Sequence, residues 1–182
     1  AIITFYNSFA RTYEGHGSDR AILGGLMDFK TDDANIKNAL EIAAERGLVY
    51  KFKSIGNSSI HHPNTIKLNL KKGESQIEVV GESLGGGVIN IAEVDGFTAN
   101  FSASNHTLII KAGDISGAIA FISGVIAQEK TNIATMSVSL KGKNDVACHV
   151  IEMDSGIREI TTLYLKSLPW ISQLIYIPDI DL

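Results

Sequence analysis

The chain has 182 residues, of which 45% are hydrophobic and 20% charged, and its formal net charge is −4. This length allows one large domain or two small ones, and a mildly acidic chain has no broad attraction for nucleic acid or anionic membranes. No apolar run approaches the roughly 20 residues that span a bilayer, no secretory signal opens the chain, and a single cysteine, Cys148, excludes an internal disulfide framework, so a cytoplasmic protein is expected.

The first predicted elements are a strand and a helix joined by a loop that contains glycine. Residues 1–10 are rich in β-formers and are predicted to form a strand that ends in a polar turn. Because no Met precedes them, we expect further residues upstream in the natural chain. After the loop at 15–19, either Ser18 or Asp19 is predicted to cap a helix over residues 21–27. The two consecutive glycines of that helix each cost about 1 kcal/mol relative to Ala unless close packing requires them.

A second helix and a run of strands follow. The helix is predicted after Thr31 from one apolar stripe with a period of 3.6 residues, and Gly47 is predicted to end it. Strands are predicted where apolar residues alternate between turn signals, at 48–52, 66–70, 76–80, 88–94 and 97–101. The glycines at 85–87 favour a bulge or wide hairpin over a point where another backbone approaches closely, and Asp95–Gly96 predicts a tight hairpin.

The pattern of elements changes near Asn105. The remaining predicted elements are a strand at 108–110, a helix through 118–126, strands at 133–140 and 146–151, a helix from 157 and a strand at 170–177. This is the split βαβ order, β-α-β-β-α-β. The predicted fold class is therefore α+β with two domains, an α/β domain with a mixed or antiparallel sheet over residues 1–103 and a ferredoxin-like domain over residues 106–182.

Four features occur in an order that resembles a known family. They are Gly15-His16-Gly17-Ser18-Asp19, His62-Pro63-Asn64-Thr65, Ser83-Leu84-Gly85-Gly86-Gly87, and the carboxyl-terminal β-α-β-β-α-β segment. Together they cover nearly the whole chain and resemble the β subunit of the iron–sulfur L-serine dehydratases, in which an allosteric substrate-binding domain precedes an ACT domain. The family also has a Ser-rich segment ending in Ser-His-Thr upstream of the first strand, and this chain does not contain it.

The resemblance implies the regulatory and assembly subunit of a lyase that deaminates L-serine to pyruvate and ammonia. It implies a [4Fe–4S] cluster on a partner α subunit, with no cofactor or metal bound by this chain, and no activity of this chain alone. The presence of a single cysteine agrees with a cluster held by the partner subunit, because cluster ligation normally takes several thiolates. It further implies self-association through the ACT domain and binding of L-serine or another amino acid, but no nucleic acid or membrane partner.

Four residues of the first domain are candidates for binding substrate or effector. Glycines in the 15–19 loop let backbone N–H groups approach a carboxylate, while His16 can add a hydrogen bond and Asp19 can take an ammonium group. The alternative is a tight turn with Asp19 as a cap and His16 on the surface. His62 and Asn64, held by the proline between them, can orient a small polar ligand or belong to a loop bonded to its own backbone.

In the second domain the resemblance implies a regulatory amino-acid site across a paired interface. Its candidate residues are Asp114 and Gly117, at the first strand–helix turn, and Asn132, where the next helix ends. The alternative is that Asp114, or Ser116, caps the helix and Gly117 only allows close packing. Cys148 is predicted to lie in the core, and His149, on the opposite face of the same strand, is predicted to lie on the outer or interface side.

Another class of function stays open. The same pair of domains also resembles the regulatory region of some 3-phosphoglycerate dehydrogenases, so the chain can be a stand-alone amino-acid-sensing or dimerisation module of the ACT type. That reading needs a dinucleotide-binding fold upstream, and this chain has no GxGxxG segment. Read alone, the sequence has no complete set of catalytic groups.

Overall fold

The computed structural model describes residues 1–59, 62–102, 104–140, 142 and 145–180. Its chain divides into two compact units, one from Ala1 to Gly96 and one that begins at Phe97. The α+β class predicted from the sequence is confirmed, with two sheets and helices in both units. The predicted domain limits at 103 and 182 lie outside the described residues.

The first unit begins with a parallel pair of strands joined by helices. Its elements are β1 (Ile2–Tyr6), α1 (Phe9–Thr12), α2 (Ser18–Leu26), a 3₁₀ helix (Ala34–Asn38), α3 (Ala39–Glu45), β2 (Lys51–Ile55), β3 (Thr65–Lys72), β4 (Ser75–Gly85) and β5 (Val88–Val94). β2 runs parallel to β1, whereas β3 pairs with β1 antiparallel and continues into hairpins. Within this unit the order of the sheet is β2-β1-β3-β4-β5, and β6 (Phe97–Phe101) is the next strand in the chain.

The core of the first unit lies between β1 and the helices that follow it. Ile3 and Phe5 of β1 are fully buried against Leu23 of α2, against Met27 directly after α2, and against the alanines of α3. Burying each large apolar side chain contributes about 2 kcal/mol. The turn at residues 85–87 is a hairpin connection between β4 and β5, with all three glycines at positive φ, so the bulge-or-hairpin interpretation is confirmed.

The second unit has the predicted β-α-β-β-α-β order. Its elements are β7 (His106–Gly113), α4 (Ala118–Gln128), β8 (Ile133–Leu140), β9 (Val146–Met153), α5 (Glu159–Lys166) and β10 (Ile171–Ile177). The antiparallel sheet has the order β10-β7-β9-β8. The core packs Leu108 and Ile110 of β7 with Ile122 and Ile126 of α4 and Leu165 of α5.

The predicted side-chain caps of two helices are wrong. α2 begins after Gly17 and α4 begins after Gly117, and neither helix start has a capping side-chain hydrogen bond. Both glycines have positive φ, 68° and 87°, a conformation that glycine adopts without the strain of a Cβ atom. The backbone turn therefore replaces the cap, and Ser18 and Asp19 are the first residues of α2. No helix of the described residues is long and apolar enough to cross a membrane.

The two consecutive glycines of α2 have different surroundings, which gives a testable prediction. A Cβ atom on Gly24 would lie 3.2 Å from Ile36 Cγ1 and 3.3 Å from Phe29 Cδ2, whereas no described heavy atom lies within 4 Å of one on Gly25. Gly25→Ala should raise the free energy of unfolding by up to about 1 kcal/mol through helix propensity. Gly24→Ala should lower it by about 1 kcal/mol, because the new methyl group crowds both neighbours.

Chemical denaturation of the two variants and the natural chain is the measurement. The variants serve as controls for each other, because both gain the same propensity on the same helix. Equal stabilisation by both would contradict close packing at Gly24.

Candidate functional site

The carboxyl ends of β1 and β2 lie side by side and define the candidate site of the first unit. Tyr6 at the end of β1 pairs with Ile55 at the end of β2, and the Asn7 amide donates to the Ile55 carbonyl at 2.8 Å. In sheets of this kind, loops that leave the carboxyl ends of parallel strands form the usual ligand crevice. The predicted residues of the first unit all lie in or next to loops near this end.

His62 and Asn64 are brought together. The Asn64 amide donates to His62 Nδ1 at 3.3 Å, and the Thr65 hydroxyl donates to the His62 carbonyl at 2.8 Å. In this arrangement Nδ1 accepts, so the proton of a neutral imidazole resides on Nε2. Both side chains are half-buried. The loop is bonded to its own backbone, as one interpretation predicted, and it still leaves the Nε2–H group as a donor.

Two residues that sequence analysis did not single out, Asn7 and Ser8, bind this loop to β1. Asn7 Nδ2 donates to the His62 carbonyl at 3.2 Å, and its Oδ1 accepts from the Ser58 amide at 2.6 Å. The Ser8 hydroxyl lies 2.9 Å from both the Pro63 carbonyl oxygen and Asn64 Oδ1. A polar pair directly after a buried strand is the sequence signal that identifies such residues.

One carboxylate oxygen of Asp19 is buried without a hydrogen-bond partner among the described residues. Asp19 lies in the first turn of α2 and is 8% exposed, and the oxygen without a partner is Oδ1. A buried carboxylate oxygen without a donor is unfavourable, so such an atom indicates a missing partner. A ligand with N–H groups supplies what this oxygen lacks.

Tyr13, which packs against the strands, was also missed by sequence analysis. Its ring stacks on Phe5 at a centroid distance of 4.1 Å, and its hydroxyl donates to Glu14 Oε1 at 3.0 Å. Burial raises the pKa of the phenol, as do the hydrogen bond to Glu14 and the charges of Glu14 and Asp19, against a hydrogen bond with Ser54 of β2 that lowers it. Tyr13 therefore stays protonated at neutral pH within electrostatic reach of the Asp19 carboxylate.

His16 is exposed, and its ring is bound to the backbone of its own segment. Its Nδ1 lies 3.0 Å from the Thr12 carbonyl and donates to it. The ring therefore binds the carbonyl of the last residue of α1. Within the described residues, no hydrogen bond links His16 or Asp19 to His62 or Asn64. The geometry at His16 is that of the surface alternative considered above.

In the second unit the three candidate residues do not form one site. Asp114 and Gly117 precede α4, whereas Asn132 follows it and is bound to Asp154, whose Oδ1 accepts from the Asn132 amide at 3.0 Å. α4 has 11 residues and is therefore about 16 Å long. The two ends of α4 cannot contact one small ligand within a single copy.

His149 is buried, and the prediction that it lies on the outer or interface side of the sheet is wrong. It does lie on the face of β9 opposite Cys148, but that face pairs with Ile110 under the helices. It is 2% exposed, and neither ring nitrogen has a hydrogen-bond partner among the described residues. Burial lowers the pKa of the imidazole below its usual value, and the charge of Asp114 only partly opposes this.

Two curated proteins match the chain over most of its length. A probable L-serine dehydratase β chain of Bacillus subtilis (strain 168) is 38% identical over 178 residues, which cover 98% of this chain and 80% of the relative. An L-serine dehydratase β chain of Peptoniphilus asaccharolyticus is 30% identical over 156 residues, covering 85% of this chain and 70% of the relative.

A different enzyme matches with lower identity and over a smaller share of its own length. The D-3-phosphoglycerate dehydrogenase of B. subtilis (strain 168) is 27% identical over 164 residues, which cover 90% of this chain but 30% of that protein. Among solved structures, the ACT domain of a GTP pyrophosphokinase of Chlorobium tepidum aligns with 39% of this chain and 82% of its own length, at 23% identity and a TM-score of 0.30, which is too low to support an argument. No family model matches the chain.

The burial of His149 predicts how stability depends on pH. Since its pKa in the folded chain is lower than the ordinary value of about 6.5, the unfolded chain binds the proton more readily. The titration of His149 therefore leaves the free energy of unfolding unchanged above pH 6.5. As the pH falls below that value, it lowers the free energy of unfolding by up to about 1.4 kcal/mol per pH unit. Replacing His149 by Leu should raise the free energy of unfolding by about 1–2 kcal/mol at pH 7.5, and by more at pH 5.5.

Denaturant titrations at both pH values test this, with the exposed His16→Gln as the control. The difference in stability between the two pH values should shrink in His149→Leu and stay unchanged in the control. An unaltered pH dependence in His149→Leu would show that other groups cause it.

Proposed function

We infer the function of this chain from its family: the chain belongs to the L-serine dehydratase β chains. It is the β subunit of a lyase that converts L-serine to pyruvate and ammonia, in which water is eliminated from serine and the resulting enamine is hydrolysed. The observation that carries this proposal is the 38% identity with the B. subtilis β chain over 98% of this chain. The reaction belongs to amino-acid metabolism in the cytoplasm and can supply pyruvate for gluconeogenesis.

The cofactor of the complete enzyme is proposed to be a [4Fe–4S] cluster on the partner α subunit. When bound, such a cluster supplies a Lewis acid for the leaving hydroxyl group. The residues of this chain do not fit a cluster, because its one thiol, Cys148, is fully buried in the sheet of the second unit. Among the described residues, no group of three or more His, Cys, Asp or Glu side chains can hold a metal ion. The chain is therefore proposed to be inactive without its partner.

The first unit is proposed to bind the amino acid itself. A zwitterion needs an anionic acceptor for its ammonium group and N–H donors for its carboxylate. Asp19 offers the acceptor, since its buried Oδ1 has no donor among the described residues. Asn64 and His62 offer donors at the end of β1, held there by Asn7 and Ser8. His16 is proposed to close the rim of the site.

The second candidate is an amino-acid-sensing module. The match to D-3-phosphoglycerate dehydrogenase over 90% of this chain supports it, but the chain spans 30% of that protein against 80% and 70% of the β chains. The two candidates differ in their partner. A β subunit restores serine deamination when mixed with the cluster-bearing α subunit, whereas a sensing module does not.

The second unit is proposed to self-associate and to bind an effector between copies. α4 has no charged residue, and five apolar side chains on α4 and α5 are 39–64% exposed, namely Ile119, Phe121, Ile160, Leu163 and Tyr164. They leave roughly 400 Å² of apolar side chain in water, a large patch for a monomer. In a two-fold pair of α4 helices, a charged residue near the axis would be repelled by the same residue of the other copy. A helix without charged residues is therefore suited to pairing. Antiparallel α4 helices would also place Asp114 and Gly117 of one copy near Asn132 of the other.

Serine binding to the chain alone tests the first site. Calorimetry at neutral pH should show saturable binding of L-serine that D-serine does not reproduce. Asp19→Asn should raise the Kd by at least about tenfold, because it removes a charged acceptor for the ammonium group. Asp28→Asn, at an exposed position just beyond α2, is the matched control and should leave the Kd unchanged. The absence of binding at tens of millimolar L-serine, or equal effects of Asp19→Asn and Asp28→Asn on the Kd, would contradict an amino-acid site on this chain.

Sedimentation of the full chain tests self-association. A Cβ atom on Gly124 would meet no described atom within 4 Å, so Gly124→Arg fits the single copy but blocks contact between α4 helices. It should weaken the dimer at least about 100-fold while the melting temperature of the monomer is maintained. Gly25→Arg, at the equally open glycine of α2, is the control and should remain dimeric. A natural chain that is monomeric at about 100 μM, or a dimer that survives Gly124→Arg, would contradict pairing through this face.

A further inference from the structure

One carboxylate of the second unit, that of Glu152, is buried without a positive charge beside it. Glu152 is 7% exposed and lies on the face of β9 opposite Ile151 and Met153, which pack under the helices. Its Oε2 accepts from the Thr135 hydroxyl at 2.7 Å, and its Oε1 accepts from the Ser102 amide at 3.4 Å. An ionised carboxylate has about four acceptor positions, so two neutral donors leave this one incompletely satisfied.

A second carboxylate of this unit, Glu129, is buried with a complete set of partners. Its side chain is 6% exposed, and its oxygens accept from the Arg158 guanidinium at 2.8–3.2 Å. They also accept from the Arg158 backbone amide and the Thr161 hydroxyl. Glu152 belongs to none of the ion pairs among the described residues. Because buried charges are normally paired, Glu152 lacks a cation that Glu129 has.

Glu152 lines a cavity of about 180 Å³ on this face of the sheet. The cavity lies between β6, β8 and β9, and the Ser139 hydroxyl joins two of these strands by donating to the Thr98 carbonyl at 3.0 Å. Its other polar side chains carry hydroxyl or amide groups, namely Thr98, Asn100, Thr135, Ser137 and Ser139. No Lys, Arg or His side chain of the described residues lines it. The cavity therefore presents one negative charge among neutral acceptors.

We propose that this cavity binds a small primary amine through its ammonium group. An ammonium group has one positive charge, three N–H donors and no acceptor, which complements what the cavity presents. Glu152 is the anionic acceptor, and the Thr135 and Ser137 hydroxyl oxygens are the neutral ones. The Ser137 hydroxyl makes no hydrogen bond within the described part of the chain, so its oxygen is available to the ligand.

The size and charge of the cavity limit the kind of amine. Its volume equals that of about six water molecules, which fits a ligand of a few heavy atoms. A zwitterion would bring a carboxylate beside Glu152 with no cationic side chain to receive it, so an amine without a carboxylate is favoured. Amino alcohols fit well, because Thr98 and Asn100 are exposed at the rim and can bind a hydroxyl group. All lining residues belong to the second unit, so this site is independent of the amino-acid site proposed in the first.

Calorimetry of the full chain with ethanolamine hydrochloride at neutral pH tests the amine site. The natural chain should bind ethanolamine saturably, and Glu152→Gln, which keeps the shape but removes the charge, should raise the Kd at least about tenfold. Ser137→Leu should raise it similarly, because a large side chain at this exposed position of β8 fills the cavity. Two exposed positions outside the cavity provide matched controls, Glu159→Gln on α5 and Ala134→Leu on β8, and both should leave the Kd unchanged.

Melting temperatures distinguish a binding group from a carboxylate that only fastens Ser102 and Thr135. At a binding site, ethanolamine should raise the melting temperature of the natural chain and not that of Glu152→Gln. A fastening role alone predicts that Glu152→Gln lowers the melting temperature equally with and without ethanolamine, and that result would overturn the amine site.

Competition against ethanolamine identifies the chemistry that the cavity recognises. Ammonium chloride should compete more strongly than potassium chloride, because potassium has the charge but no N–H donors. Equal competition by the two salts, equal effects of Glu152→Gln and Glu159→Gln, or no ethanolamine binding at tens of millimolar would overturn an ammonium site. L-Serine that competes as well as ethanolamine at this site would overturn the preference for an amine without a carboxylate.

Discussion

The parallel pairing of β1 with β2 is the constraint on which the candidate site depends. Three α-helices and a 3₁₀ helix connect these two strands, as a parallel connection requires, and the carboxyl ends of both strands meet at one edge of the sheet. The loop after β1 carries Asn7 and Ser8, and the same edge receives the 62–64 loop before β3. Residues more than 50 positions apart in sequence thereby form one polar cluster.

Periodicity in the sequence was enough to predict the elements. The strands at 88–94, 97–101 and 133–140 agree with the structure at both ends, because strict alternation and Asp95–Gly96 leave little freedom in register. The β-α-β-β-α-β order followed from two helical stripes between strand patterns. Helix starts were less predictable, since a glycine with positive φ can replace a polar cap and both signals occur within three residues of each other.

The candidate site was predictable only in part. Asp19, His62 and Asn64 stand in short motifs that sequence analysis can find, whereas Asn7, Ser8 and Tyr13 gain their importance from contacts that join distant segments. His16 stands in the same motif as Asp19, but its ring is hydrogen-bonded locally to the Thr12 carbonyl. A motif gives the residue types at a site, while the orientation of each side chain is decided by its nearest donor or acceptor.

Two buried polar groups without partners, Asp19 and His149, show how the same feature leads to different conclusions. Asp19 lies in the first turn of α2, next to exposed loop residues, and the helix N-terminus stabilises a carboxylate there. His149 lies beside Ile110 in an aliphatic interior, and its lowered pKa keeps it neutral there. An acceptor without a partner at a helix start is therefore a candidate for ligand binding, whereas an imidazole without a partner inside a packed sheet reduces stability. The position of a buried polar group in the fold, more than its residue type, decides whether it is a candidate binding group or a group that lowers stability.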